Sequence, residues 1–101
     1  RDAGISRAAR NADPGWVRAA TWAVRHLAAE RDTFTPDDVW ELLDYVAVPE
    51  PAEPRAMGPI MQWAQGNGLV AATDRVRPSH RPACHVRPVR VWQSLIGGGN
   101  D

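Results

Sequence analysis

The chain has 101 residues, 44% of them hydrophobic, and its 12 basic and 12 acidic side chains give a formal net charge of zero. This length suits a single domain, and the hydrophobic share is ordinary for a globular protein, so wholesale disorder is excluded. No apolar run approaches the roughly 20 residues of a membrane span, residues 1–15 lack a secretory signal pattern, and one cysteine excludes an internal disulfide. We therefore expect a cytoplasmic protein without membrane association.

The charges are segregated along the chain. Residues 1–29 carry five arginines and two aspartates, residues 30–53 carry one arginine and eight carboxylates, and residues 54–100 carry six arginines and one aspartate. If these segments lie apart in space, the surface has a positive and a negative pole that attract charged partners. Pairing of the charges within the protein is the alternative.

The first helix is predicted to begin at Asp13-Pro14, where an N-cap acceptor precedes a proline suited to the first helical position. It extends to about Ala29, because apolar residues recur at steps of three and four. That stripe consists of Trp16, Val17, Ala20, Ala23, Val24 and Leu27. Residues 1–12 have no sustained apolar face and are predicted to form an arm or a short helix.

A second helix is predicted after the β-prone pair Thr33-Phe34. In Thr35-Pro36-Asp37-Asp38, threonine suits the N-cap and proline the first turn, while both carboxylates suit the positive end of the helix dipole. We therefore interpret the two aspartates as capping groups. The side chains expected to point inward are Val39, Trp40, Leu42, Leu43 and Val46. Residues 47–54 contain three prolines and are predicted to form a stiff connector.

A third helix is predicted from about Pro54 to Gln65, ended by Gly66-Asn67-Gly68. Pro59 lacks an N–H group, so we expect either a kink at this residue or a later start of the helix. The predicted core stripe consists of Ala56, Met57, Ile60, Met61 and Ala64, with Trp63 at its margin.

Two strands are predicted after the third helix, LVAAT and HVRPVRVWQS, joined by a long loop rich in Arg and Pro. Pro88 indicates that the second strand lies at a sheet edge or starts late. Residues 96–101 are predicted to be a flexible tail.

Four segments carry a family resemblance: RDAGISRAARNADPGW, FTPDDVW, PRAMG and RVRPSHRPACHVRPVRVWQSL. On these segments the sequence resembles small winged-helix proteins encoded by actinobacterial phages and prophages, from residue 1 to about 95. The resemblance implies a mostly α fold with a small β-hairpin (α+β), a winged helix-turn-helix over residues 13–95, and DNA binding in gene regulation or replication. The order of the predicted elements agrees with this fold. The family often places further arginines on the third helix, where this chain has GPIMQWAQGNG.

The predicted function is binding of double-stranded DNA. Arginines of the hairpin, or wing, suit phosphate contacts and insertion into the minor groove, and glutamines of the third helix suit adenine edges. The expected DNA-binding residues are Arg55, Gln62 and Gln65 on the third helix and Arg75, Arg77, Arg81, Arg87 and Arg90 on the wing. Pairing of Arg87 and Arg90 with the acidic second helix is the alternative. Arg7 and Arg10 are expected to extend the DNA footprint.

Five tryptophans are a high number for a chain of this length. Trp16, Trp40 and Trp92 are predicted to lie in the core. Trp22 and Trp63 fall beside the helical stripes, so they either widen the buried face or form an exposed surface. The alternative function is therefore a protein-interaction module of the same fold. It binds a host or phage protein, or forms a homodimer, through these two tryptophans and the acidic second helix.

His80, Cys84 and His85 form an H-x3-C-H cluster, but a structural zinc site needs four ligands and no fourth lies nearby. We expect a packed thiol and imidazoles that are solvated or contact phosphate, without a metal or another cofactor. The serines lack a nucleophile-elbow context, and no glycine-rich phosphate loop joins a strand to a helix. We therefore do not expect an enzyme.

Overall fold

The computed structural model of the protein describes residues 13–81 and 87–97. The predicted N-terminal arm, Cys84-His85 and the end of the tail lie outside these ranges, as do Arg7 and Arg10. The elements in the described residues are α1 (Pro14–Glu30), β1 (Thr33–Phe34), α2 (Pro36–Tyr45), a 3-10 helix (Pro54–Ala56), α3 (Met57–Gly66), β2 (Val70–Pro78) and β3 (Pro88–Ser94). Three α-helices and a small antiparallel sheet confirm the predicted α+β class.

The three strands form an antiparallel sheet in the order β1-β3-β2. In β1, Phe34 lies opposite Trp92, and the β2–β3 ladder runs from Val70 opposite Ser94 to Pro78 opposite Pro88. Strand β3 is therefore central. Pro88 is its first residue, where a missing N–H group is tolerated, so the prediction of a late start is confirmed and that of an edge position is wrong.

Strand β2 is longer than the predicted LVAAT segment and continues through Asp74 to Pro78. The ladder is irregular between Ala72 and Val76 and then resumes with Val76 opposite Arg90. Because the side chains beyond the irregularity are exposed on both faces, this part of the strand has no alternating apolar pattern. Its pairing with β3 extends the strand, so residues 74–78, which were predicted to lie in the loop, belong to the hairpin.

The core lies between the helices and the inner face of the sheet. Trp16, Trp40 and Trp92 are buried as predicted, and the Trp16 and Trp40 rings pack at a centroid distance of 5.8 Å. The largest fully buried apolar side chains are Val24, Phe34, Val39, Leu43, Ile60, Met61, Val70 and Val91. Val46 is 41% exposed, contrary to the prediction, because α2 ends at Tyr45 and Val46 is already its C-cap residue.

The predicted third helix is divided into the 3-10 helix and α3. Pro59 lies in the first turn of α3, where backbone N–H groups have no intrahelical acceptor, so the proline removes no helical hydrogen bond. The prediction of a later start is confirmed. The helix ends as predicted at Gly66, and Gly68 adopts a φ of 74°, a left-handed conformation that favours glycine.

The start of α2 depends on the carboxylate of Asp38, which accepts hydrogen bonds from the Thr35 backbone N–H (2.9 Å) and hydroxyl (3.4 Å). We expect Asp38→Ala to lower the free energy of unfolding by about 1 kcal/mol, because the substitution leaves the Thr35 backbone N–H and hydroxyl without their acceptor. Urea denaturation measures this change. Asp44→Ala, at an exposed position near the other end of α2, is the control, and an equal effect of both substitutions would contradict the capping role.

Candidate nucleic-acid interface

Four of the predicted DNA-binding arginines lie exposed on the hairpin. Arg75 and Arg77 belong to β2, Arg90 to β3, and Arg87 directly precedes β3. Among the described residues, none of these four forms an ion pair, so the predicted pairing of Arg87 and Arg90 with the acidic helix is not found there. Arg90 instead donates to the carbonyl oxygen of Thr73 at 2.6 Å. The hairpin therefore presents cationic groups that carboxylates do not neutralise.

The register of the hairpin separates these arginines. Val76 lies opposite Arg90, and Arg77 lies opposite Val89. These two residue pairs are neighbours in one antiparallel ladder. Directly opposite residues share a face, and successive residues alternate between faces. Arg77 and Arg90 therefore leave the hairpin on opposite faces. The hairpin is a ridge with cations on both sides, which differs from a flat basic patch.

The end of the hairpin is attached to α2 by Asp37, a contact that the sequence analysis missed. The Asp37 side chain is almost fully buried, and its carboxylate accepts hydrogen bonds from the Ser79 hydroxyl (3.0 Å to each oxygen) and the His80 backbone N–H (3.0 Å). The Ser79 oxygen in turn accepts from the Arg81 backbone N–H at 3.2 Å. Asp37 thus connects two segments in addition to lying in the first turn of its helix. We call this arrangement the Asp37 clasp.

Arg81 does not lie with the other hairpin arginines. Its guanidinium group pairs with the Glu50 carboxylate at 3.0 Å and lies 4.4 Å from the centroid of the Trp40 ring. Only 15% of the side chain is exposed. The Glu50 carboxylate binds the guanidinium donors of Arg81, and the Trp40 ring covers the guanidinium face. Arg81 is therefore not part of the candidate interface. Its contacts instead join the hairpin to α2 and to the proline-rich connector.

Gln62 and Gln65, two of the third-helix candidates, lie on one exposed side of α3. Gln62 and Gln65 are three residues apart on α3 and both are exposed, while Arg55 is exposed in the preceding 3-10 helix. Residues at this spacing are neighbours on a helix surface. The exposed side of α3 therefore offers two amides without a charged group, and Arg55 lies before its start.

Trp22 and Trp63, whose burial the sequence left open, differ in their exposure. Trp63 is only 3% exposed, so its predicted role in a partner surface is wrong. It is covered in part by Arg25 of α1, whose guanidinium carbon lies 5.2 Å from the ring centroid. Trp22 is 46% exposed and stacks on His26 with a centroid distance of 5.4 Å. Of the five tryptophans, all of which are described, Trp22 is the exposed one.

Two cavities lie away from the hairpin arginines. One, of about 230 Å³, lies between α1 and α2 and is lined by His26, Glu30, Arg31, Asp38 and Glu41, among others. The other, of about 320 Å³, lies between the start of α1 and the proline-rich connector. In the described ranges, no group of three or more His, Cys, Asp or Glu side chains is arranged to hold a metal ion.

Comparison with protein-family models, with curated proteins and with solved structures gives no significant match to this chain. Within residues 13–81 and 87–97, the structure contains no helix with the length and apolar character of a membrane span.

Seven of the eight predicted DNA-binding residues are exposed, and they form two groups. The hairpin group consists of Arg75, Arg77, Arg87 and Arg90, and the helix group consists of Arg55, Gln62 and Gln65. The first group carries charge, while the second carries mainly hydrogen-bonding amides. This division suits a site in which one element binds phosphate and another contacts base edges.

Proposed function

We propose that the protein is a winged-helix protein that binds double-stranded DNA. The order of its elements and the position of the hairpin after α3 fit this arrangement, in which α2 and α3 form the helix-turn-helix and the hairpin is the wing. As the sequence resemblance implies, we further propose a phage or prophage origin and a role in gene regulation or replication.

The observation that carries the proposal is the set of four exposed arginines on the hairpin, none of which forms an ion pair with another described residue. The planar guanidinium group donates two parallel hydrogen bonds to a phosphate and retains its charge at every physiological pH. Asp74 is the single carboxylate on the described hairpin. A chain with zero net charge must bind DNA through a locally basic region, and the hairpin, with arginines on both of its faces, supplies such a region.

The carboxylates of the acidic segment are largely engaged within the protein. Asp38 pairs with Arg31 at 3.4 Å, Glu41 lies 3.2 Å from His80, and Glu50 pairs with Arg81. The ion pairs of Asp38 and Glu50 with arginines reduce the repulsion that the acidic segment exerts on a phosphate backbone at the hairpin. Gln62 and Gln65 are proposed to contact base edges, where a glutamine amide matches the donor and acceptor of adenine.

Arg75→Gln combined with Arg77→Gln is expected to weaken binding to a random duplex roughly tenfold at moderate salt, and to reduce the slope of log K against log salt by about 2. For each arginine that is replaced, binding of the protein releases one counterion fewer from the DNA. Fluorescence anisotropy at about 50 and 200 mM salt measures both quantities.

The matched control is Arg31→Gln, which removes one cation from the α1–α2 side of the molecule, where Arg31 is paired with Asp38. It is compared with Arg75→Gln and Arg77→Gln singly, since each of these three proteins loses one positive charge. Absence of duplex binding at the lower salt concentration, or an equal loss in all three variants, would contradict a specific role of the hairpin.

A second candidate function is binding of a protein partner, and the exposure of Trp22 is the observation that favours it. The predicted partner surface of Trp22, Trp63 and the acidic helix is reduced by the burial of Trp63. This candidate would be favoured over DNA binding if a partner protein keeps its affinity when the hairpin arginines are replaced and loses it when Trp22 is replaced.

A further inference from the structure

Helix α1 has an exposed basic stripe that the DNA-binding prediction did not use. Arg18, Trp22 and Arg25 are exposed at positions i, i+4 and i+7, which share one side of a helix. From Pro14 to Ala29 the helix contains no carboxylate. Among the described residues, neither arginine of the stripe forms an ion pair. We call these three residues the α1 stripe.

The α1 stripe adjoins α3 through Arg25. The Arg25 guanidinium group covers the Trp63 ring, and Trp63 follows Gln62 directly in α3. Successive helical residues are about 100° apart around the axis, so Trp63 lies on the flank of the exposed side that carries Gln62. The α1 stripe therefore borders the side of α3 whose amides are available for base contacts.

We propose that Arg18 and Arg25 bind phosphates of the same DNA duplex that α3 contacts, with Trp22 lying against the backbone between them. This inference rests on the proposed function and adds residues to it. α3 itself has no cationic side chain, and the α1 stripe supplies two such groups beside it. Arg18 and Arg25 are about 10 Å apart along the helix axis, which equals the axial rise of roughly three base pairs of a duplex.

The chemistry of the α1 stripe favours a nucleic acid over a protein partner. Trp22 is the single large exposed hydrophobic side chain of α1; the others in the described residues are Tyr45, Val46, Val76, Leu95 and Ile96, on other elements. A stable protein interface buries roughly 1,200–2,000 Å² around a continuous apolar centre, which one tryptophan between two arginines does not provide. Phosphate binding needs only the guanidinium donors, and the ring face of Trp22 suits the sugar–phosphate backbone.

The first test uses the fact that Trp22 is the exposed tryptophan. Acrylamide, a neutral quencher, reports the accessibility of Trp22 in the intact protein, and Trp22→Phe gives the signal of the four buried tryptophans. We expect a saturating concentration of random duplex to lower the acrylamide quenching of the wild-type protein toward the level of Trp22→Phe. The quenching of Trp22→Phe itself should not change when the duplex is added. Unaltered quenching of Trp22 in the saturated complex would overturn the inference.

The second test compares Arg18→Gln combined with Arg25→Gln against the Arg31→Gln control. We expect the double variant to bind the duplex roughly tenfold more weakly at moderate salt, with a salt slope shallower by about 2. Arg25→Lys, which retains the charge, is expected to recover part of the loss caused by Arg25→Gln. Thermal unfolding of each variant shows whether the loss of the Arg25 cover over Trp63 has altered the fold.

The outcomes separate this inference from the proposed function. If the hairpin variants weaken binding while the α1 variants bind like the wild type, the inference is overturned and the proposed function stands. If no duplex binds at low salt, both are overturned. If poly-glutamate protects Trp22 from acrylamide and the duplex does not, the α1 stripe is a surface for an acidic protein and the inference is overturned.

Discussion

Replacing Asp37 with alanine is expected to lower the free energy of unfolding by about 2–4 kcal/mol, a large effect for one polar side chain. The substitution leaves the Ser79 hydroxyl and the His80 backbone N–H without their acceptor, and Ser79 is buried. A buried donor without a partner loses its interaction with water and gains nothing in exchange. For a domain of this size, the midpoint of thermal unfolding should fall by roughly 10–20 °C.

Two variants make this prediction specific. Asp44→Ala removes an exposed carboxylate from the same helix and is expected to change stability by less than about 0.5 kcal/mol. Asp37→Asn retains one oxygen acceptor and should be intermediate. Hydrogen exchange of the His80 amide gives a local readout, since its protection depends on the bond to Asp37. Equal unfolding midpoints for Asp37→Ala and Asp44→Ala would show that the Asp37 clasp does not stabilise the fold.

The Asp37 clasp changes the interpretation of the charge distribution. Segregated charges along the sequence predict two poles only if the segments lie apart. In the structure, the start of the acidic helix contacts the end of the basic hairpin: Asp37 and Glu41 meet His80, while Glu50 meets Arg81. Arg81 is paired with Glu50 where the segments touch, whereas Arg87 is exposed at the same end of the hairpin, where its carbonyl oxygen accepts from the Ser79 backbone N–H at 2.9 Å. Within the described residues, the alternative of internal pairing therefore applies to Arg81 and not to the four exposed arginines.

The helices could be predicted from the sequence because their signals are local. Asp13 accepts from the Trp16 backbone N–H at 3.2 Å, as expected of an N-cap three residues before its donor. Thr35 and Asp38 act within one turn of each other, and Gly68 takes the left-handed conformation that ends α3. Such patterns require a few neighbouring residues and no knowledge of the remaining fold. The bounds of α1 agree with the prediction to within one residue.

The contacts that shape the candidate site are long-range and could not be predicted in this way. Asp37 and Ser79 are 42 residues apart, and Arg81 and Glu50 are 31 apart. The extension of β2 depends on its partner strand, because its exposed side chains carry no alternating pattern. The burial of Trp63 depends on α1, which lies beside it only in the folded chain.

Trp63→Ala is expected to lower the free energy of unfolding by about 3–5 kcal/mol, whereas Trp22→Ala should change it by no more than about 1 kcal/mol. Both residues fall beside the predicted apolar stripes of their helices, but the Trp63 ring packs in the core and the Trp22 ring contacts His26 at the surface. Removing a buried indole leaves a cavity that the neighbouring side chains fill only in part. Urea denaturation of the two variants measures the difference.

Trp63→Phe separates the contribution of aromatic packing to stability from that of the larger indole with its N–H group. The Trp63 Nε1 atom is buried without a hydrogen-bond partner among the described residues, so replacing indole with phenyl removes an unsatisfied donor together with some volume. We expect this variant to lose much less stability than Trp63→Ala and to retain a ring beneath the Arg25 guanidinium group. Because Arg25 then remains beside α3, duplex binding by Trp63→Phe should resemble that of the wild type. Comparable stabilities of Trp63→Ala and Trp22→Ala would instead place Trp63 at the surface and remove the contact that joins α1 to α3.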